Sequence, residues 1–347
     1  MPEPKGTFLS EDLLDIAHGL VDESTFRLRD VGGSRRLVAW YGGCWRPGTP
    51  RMRGIVTATL SPADFSPLPS AKSQAEAWFA EVEEGLAAGR LAPYLGPGVT
   101  ALASAAVPTT QEALAAFLGG KVTLPRRARG NLGAAAQYIE SQKHRKVVAQ
   151  LMAEAFATPV APLPIHHRLA RLPLPLVIDT WYDGAMRAAL GARTDWGEIQ
   201  GIRRSGLGDD AYYAAYDARG APCRLDDACS WKTLLYKPHG ATVPAQNFLV
   251  SDSDYVEVLT EIDIQTPIPP AVKERRAAAG YVFLGCRFDD QTLRSYARQL
   301  LKRSGGRHFV AVDPGPLTRN ERRFIEQQRL NVLVLRLSEV VERLSLS

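Results

Sequence analysis

The chain is poor in cysteine. Its 347 residues carry four, Cys44, Cys223, Cys229 and Cys286. None forms a Cys-x-x-Cys pair, and Cys223 and Cys229 are too isolated to build a four-ligand zinc site. So few thiols in so long a chain fit a reducing compartment, with free buried thiols expected for all four. No apolar run is long enough to span a bilayer, which excludes a helical integral membrane protein. The opening residues Met1-Pro2-Glu3-Pro4-Lys5 lack the basic-then-apolar pattern of a signal peptide, so the cytoplasm is the expected compartment. Aromatic residues are not interleaved with basic ones, which argues against a nucleic-acid partner. Arg126-Arg127-Ala128-Arg129, the densest basic cluster, reads as a solvated loop. There is no internal repeat and no low-complexity tract.

What is present is an ordinary globular composition: 45% hydrophobic, 23% charged, net charge +5. That is enough for one large domain or two ordinary ones. Residues 1–70 read as an N-terminal α+β appendage of unknown role. Ser10 can cap a short helix, Thr25 to Arg29 and Arg36 to Trp40 flank a hairpin signal at Val31-Gly32-Gly33-Ser34, and Ile55 to Leu60 is a third strand. A Ser/Pro-rich linker, residues 61–70, follows. From residue 71 onward helices alternate with buried strands, which implies a parallel sheet with helices on both faces. A small helical module is expected at about 122–160, and an irregular insertion, rich in Gly, Asp and Arg, at about 191–230.

Four strand-tip motifs stand out. Gly96-Pro97-Gly98-Val99-Thr100 follows a strand and opens a helix, where glycines let a pyrophosphate approach the backbone and free N–H groups receive it. Equally, it is an ordinary strand-to-helix turn. A dehydrogenase-type unit would place an acid on the ribose about 20 residues further on. The window Phe117 to Val122 has none, which points to a different dinucleotide scaffold. Asp179-Thr180-Trp181-Tyr182-Asp183 ends a second strand with carboxylates, a hydroxyl and an aromatic ring; helix capping and packing are the simpler roles. Lys237-Pro238-His239-Gly240 places an imidazole able to exchange protons at a third tip. Adjacent His166 and His167 cannot both face one site and read as structural. Gly285-Cys286 turns at a fourth tip, and Asp289 or Asp290 can cap the helix after it. Ligands in such sheets sit outside the carboxyl ends of the strands.

In this order, residues 91–337 resemble the sirtuin-like NAD-binding fold. They look closest to the zinc-free bacterial branch of anti-phage NAD-degrading proteins. Gly96-Pro97-Gly98 matches a Gly-Ala-Gly-like turn, and Pro162, His166, Leu169 and Leu172 match a Pro-x-x-x-His helix. Residues 179–183 match Thr-Thr-Asn-Tyr-Asp. Lys237, His239 and Gly240 match Lys-x-His-Gly, and Phe283, Gly285 and Asp290 match Phe-x-Gly-x-x-x-x-Asp. The resemblance implies an α/β, Rossmann-type domain over 71–347 that takes NAD as ligand or substrate. Deacetylating relatives carry a four-cysteine zinc ribbon after the His-Gly motif; here only Cys286 follows His239, so neither zinc nor deacetylation is expected. Trp181 stands where the family has asparagine. An indole can donate one hydrogen bond but accept none, and it is large enough to occupy the nicotinamide position.

Two function classes follow from the resemblance. In the first, the protein cleaves the nicotinamide–ribose bond of NAD. His239 is the base and Asp179 or Asp183 steadies positive charge. Gly96, Gly98 and Val99 hold the pyrophosphate through backbone N–H groups beside Pro97, while Thr180, Trp181, Gly240, Gly285 and Cys286 complete the pocket. In the second, the pocket binds a nucleotide without turnover, as a sensor or scaffold subunit, which Trp181 favours. Another enzyme on the same fold, such as a transferase using thiamine or NAD, is a third reading. A protein partner or a second copy of the chain is left open.

Overall fold

The computed structural model describes residues 71–202, 212–255 and 268–346, with the strand backbones at 26–31, 34–39 and 56–59. The chain divides into two compact units, residues 1–70 and 71–347. In the first, β1 (Phe26–Val31), β2 (Ser34–Ala39) and β3 (Val56–Thr59) form an antiparallel sheet in that order. The helix expected after Ser10 lies outside the described residues.

The second unit starts with α1 (Ala71–Ala87), β4 (Leu91–Leu95) and α2 (Pro97–Ala103). Three helices follow, α3 (Gln111–Lys121), α4 (Leu132–Lys143) and α5 (Arg145–Ala155), then α6 (Pro164–Arg171), β5 (Leu176–Asp179) and α7 (Ala185–Leu190). The sequence suggests a strand over Leu172 to Asp179, but β5 begins at Leu176, because Pro173 and Pro175 carry no N–H for a ladder. Next come β6 (Trp196–Gly201), β7 (Tyr213–Asp217), β8 (Pro222–Cys223), β9 (Thr233–Lys237) and a two-residue pair, β10 (Gly240–Ala241) with β11 (Asn247–Phe248). The unit closes with α8 (Pro270–Ala277), β12 (Gly280–Leu284), α9 (Gln291–Leu301), β13 (His308–Val312), α10 (Arg319–Gln327), β14 (Asn331–Val334) and α11 (Leu337–Leu346). The sequence also suggests a helix over Asp254 to Glu261, of which 256–261 lie outside the described residues.

Nine strands make one sheet in the order β14-β13-β12-β4-β5-β9-β6-β7-β8. The run from β14 to β6 is parallel, and β7 and β8 close the edge antiparallel. Period-2 alternation sends Leu91 and Leu95 to one face and Ala92 and Tyr94 to the other. The first face is covered by α1, α6, α7 and α11, the second by α8, α9 and α10. A third core joins α3, α4 and α5 into a module that also takes Trp181, Tyr182 and Phe248. This is the doubly covered α/β architecture the alternation implies.

The described parts of the expected insertion, residues 191–202 and 212–230, are not irregular. They hold β6, β7 and β8 and a short 3-10 turn, Leu225–Ser230. The strand character of β6 is hidden because it buries Glu198 and Gln200, where a strand covered on both faces would read as continuously apolar. Glu198 takes a 2.6 Å bond from Arg187 and another from Gln200, and Asn247 links Gln200 to Tyr216. A buried chain whose members satisfy one another can replace an apolar stripe. Among the described residues, no helix is long and apolar enough to cross a membrane.

Candidate functional site

From β4 the chain steps to β5 on one side and returns later to β12 on the other. Such a switch point opens a crevice at the carboxyl ends of the two strands. A cavity of about 410 Å³ lies there, within the range of small-ligand pockets, about 300–1,000 Å³. Pro97 and Gly98 from the turn after β4, Gly285, Cys286 and Arg287 after β12, and Asp313 after β13 line it. Glu112, Asp289 and Leu293 complete its wall. A narrow slot shares Pro97, Cys286, Arg287 and Leu293 and continues to Thr180 at the tip of β5.

The glycine turn does not work as the sequence suggests. The Gly96 N–H donates to the Leu284 carbonyl at 2.9 Å, that of Gly98 to Gly285 at 2.9 Å, and that of Val99 to Gly96 at 3.1 Å. Pro97 has no N–H, so this turn presents none of the donors assigned to a pyrophosphate. The glycines serve a contact within the protein. Gly285 sits at φ +66°, and a Cβ there would lie 2.5 Å from the Val99 nitrogen; one on Gly98 would lie 2.8 Å from the Gly285 Cα. Two strand tips touch backbone to backbone, which only glycine permits.

Asp179 and Asp183 are tied into one buried network. Lys237 Nζ lies 2.8 Å from Asp179 Oδ2 and donates at 2.8 Å to the Asp183 carbonyl. Asp179 Oδ1 accepts from the Trp181 N–H at 3.1 Å. The Thr100 hydroxyl donates to Asp183 Oδ2 at 2.6 Å, and Asp183 Oδ1 accepts from the Ala185 N–H. Burial pushes Asp179 up to about 6, with Lys237 pulling the other way. The two carboxylates therefore brace the tips of β4, β5 and β9 against each other. Thr180 does the same from its side, its hydroxyl and N–H both donating to the Leu95 carbonyl.

His239 follows β9 by two residues. Register pairs Leu95 with Asp179 and Ile178 with Tyr236, so the glycine turn and His239 share one sheet edge, about 10 Å apart at two strand spacings. The imidazole is 2 % exposed, and neither ring nitrogen has a hydrogen-bond partner among the described residues. Burial, with Lys237 nearby, pushes it down to about 3, so the ring is neutral at neutral pH. Tyr296 of α9 stands edge-on to it, centroids 4.7 Å apart, and Tyr255 lies at 5.8 Å. Gly240 holds φ +80°, where the Asn247 carbonyl leaves no room for a side chain. His166 differs from His239: its Nδ1 accepts the Leu163 N–H at 2.9 Å, a structural bond.

Trp181 points away from the crevice. Its indole N–H donates to the Pro108 carbonyl at 2.9 Å, and its ring packs on Phe156 and Tyr182 in the helical module. It lines neither the cavity nor the slot. Cys286 lines both, and burial pushes its thiol well up, so it stays protonated. Among the described residues, no group of three or more His, Cys, Asp or Glu is placed to hold a metal ion.

Several lining residues carry no signal in the sequence. Arg287 lines the cavity but is held bidentately by Glu321, at 2.6 and 3.1 Å. Burial of Glu321 works against its charge, yet the bonds from Arg287 and Thr318 outweigh burial and hold it at about 2. Glu112, Asp289 and Asp313 then give the cavity an acidic wall. Asp313 alone was findable, as the residue following a strand-like run; Asp313 Oδ1 accepts the Leu337 N–H at 2.8 Å. Tyr296 belongs to an amphipathic helix and looks like any core aromatic.

Residues 175–333 match the family model of the SIR2-like domain. The match runs from the start of β5 to within β14, takes in the tips carrying Asp179, His239 and Gly285, and makes this stretch a sirtuin-like domain. No curated protein matches the chain.

Proposed function

We propose that this sirtuin-like domain binds NAD and hydrolyses its nicotinamide–ribose bond. The ADP half occupies the cavity between the tips of β4 and β12, and the nicotinamide end enters by the slot, about 10 Å³ as it stands, which widens past Thr180 for the ring to reach His239. One observation carries the reading: His239 holds two buried ring nitrogens, unpartnered among the described residues, at the sheet edge that forms the cavity. Buried polar atoms normally have partners, and ribose hydroxyls would supply them. Asp313 and Glu112 offer acceptors to the hydroxyls of the adenosine ribose. NAD brings the leaving group, since nicotinamide departs neutral with the electrons of the broken bond. His239 orients a ribose hydroxyl, or the attacking water, as a neutral acceptor. This activity carries the assignment to the NAD-degrading, anti-phage branch.

A second reading, a nucleotide sensor without turnover, is favoured by the Asp179 and Asp183 network. All four carboxylate oxygens accept bonds from within the protein, and Lys237 already neutralises Asp179, which weakens their pull on a developing positive charge. Incubation with NAD, following free nicotinamide and ADP-ribose by chromatography, separates the two. Release abolished in His239→Ala supports hydrolysis. Binding without release supports the sensor, and no binding of NAD or ADP-ribose removes both.

A further inference from the structure

We propose that Tyr296 is a substrate-contacting residue of this site, its hydroxyl acting with the His239 imidazole to read the hydroxyls of the ribose that bears nicotinamide. The proposal rests on the nucleotide reading above. Tyr296 is 5 % exposed, and its hydroxyl has no hydrogen-bond partner among the described residues. Its neighbours differ. Tyr182 and Tyr255 both donate to the Leu249 carbonyl, at 2.8 and 3.1 Å. Leu249 in turn donates its N–H to the His239 carbonyl, which fixes the backbone carrying the imidazole. The surroundings of His239 are thus ordered by satisfied bonds, while Tyr296 and the imidazole it packs on are left with three polar atoms unpartnered.

Helix α9 connects this pair to the cavity. Leu293 lines both the cavity and the slot. Tyr296 lies three residues on, on the same helical face, and about 4.5 Å further along the axis. Neither Tyr296 nor His239 lines the cavity or the slot; a ligand anchored in the cavity reaches the pair by widening the slot past Leu293. The pair's chemistry selects what it meets. A phenol offers one donor and an acceptor, and a neutral imidazole offers one of each. Neither carries charge, so a phosphate or carboxylate gains no ion pair there, whereas two adjacent sugar hydroxyls match donor for acceptor. Packing alone would need only the ring, and phenylalanine would serve it without burying an unpartnered hydroxyl.

The test is calorimetric titration of the full chain with ADP, which ends before the second ribose, and with ADP-ribose, which includes it. The wild type is expected to bind ADP-ribose more tightly than ADP. Tyr296→Phe is expected to weaken ADP-ribose binding about tenfold, to leave ADP within about twofold, and to melt no lower than the wild type. Unchanged ADP-ribose affinity in the variant overturns the proposal, as does equal affinity of the wild type for the two ligands. A melting point more than about 2 °C lower also overturns it, because the hydroxyl would then be holding the fold. Binding of neither ligand by the wild type overturns instead the nucleotide reading on which the proposal stands.

Discussion

Replacing Lys237 by methionine removes a positive charge from a place where the fold offers no water in exchange. The lysine side chain is 2 % exposed, and its ammonium lies 2.8 Å from both Asp179 Oδ2 and the Asp183 carbonyl. Methionine fills a similar volume, so the loss is electrostatic. Asp179 is left as an uncompensated buried carboxylate, which costs about 3–5 kcal/mol. For a unit the size of residues 71–347 that is a fall in Tm of about 5–9 °C. The loss depends on pH in a defined sense. Burial already lifts the folded-state pKa of Asp179 to about 6 from its ordinary 3.8. The folded state therefore holds this proton more tightly than the unfolded chain does. Its contribution to stability is fullest at low pH and declines as pH rises through about 6. Without Lys237 the folded pKa climbs further and the decline continues to higher pH, so the gap to the wild type widens between about pH 5.5 and about pH 8. Adding Asp179→Asn removes the stranded charge yet keeps an acceptor for the Trp181 N–H, and should restore at least about 2 kcal/mol. Urea titrations of the two single variants and the double at both pH values measure all of this. A single variant as stable as the wild type near pH 8, a gap that narrows with rising pH, or additive losses in the double variant would refute the reasoning.

Gly285→Ala forces a side chain into the left-handed region and against the Val99 nitrogen. It should destabilise by at least about 2 kcal/mol and weaken ADP binding, since the cavity wall moves with the tip; an unchanged melting curve counts against that contact. Trp181→Phe should cost about 1 kcal/mol for the bond to Pro108, and Trp181→Ala about 3–5 kcal/mol. Both should leave NAD affinity unchanged in folded protein, because the indole packs in the helical module; a change in affinity would place the ring at the ligand instead.

Much of this architecture could be read along the chain. Leu91 to Leu95 and Tyr281 to Leu284 are short apolar runs closed by glycine turns, and helices between such strands leave a parallel sheet as the natural arrangement. The four tips carrying Gly96, Asp179, His239 and Gly285 do meet at one edge. β6 was not legible, because Glu198 and Gln200 owe their burial to Arg187, on another element, and to Asn247, 47 residues from Gln200. The N–H groups of the glycine turn were misread for a related reason. A strand–Gly-x-Gly–helix segment looks the same whether its donors face a ligand or the carbonyls of another strand.

Local pattern, then, determined the order of strands and helices outside residues 191–230 and the residues standing at their ends, since alternation, turn glycines and prolines act over a few neighbouring residues. Tertiary structure alone decided that Gly98 meets Gly285, that the Trp181 ring turns into the helical module, and that Tyr296 stands against His239. Each of these depends on which distant segments pack together, and close packing leaves every side chain and amide one set of neighbours.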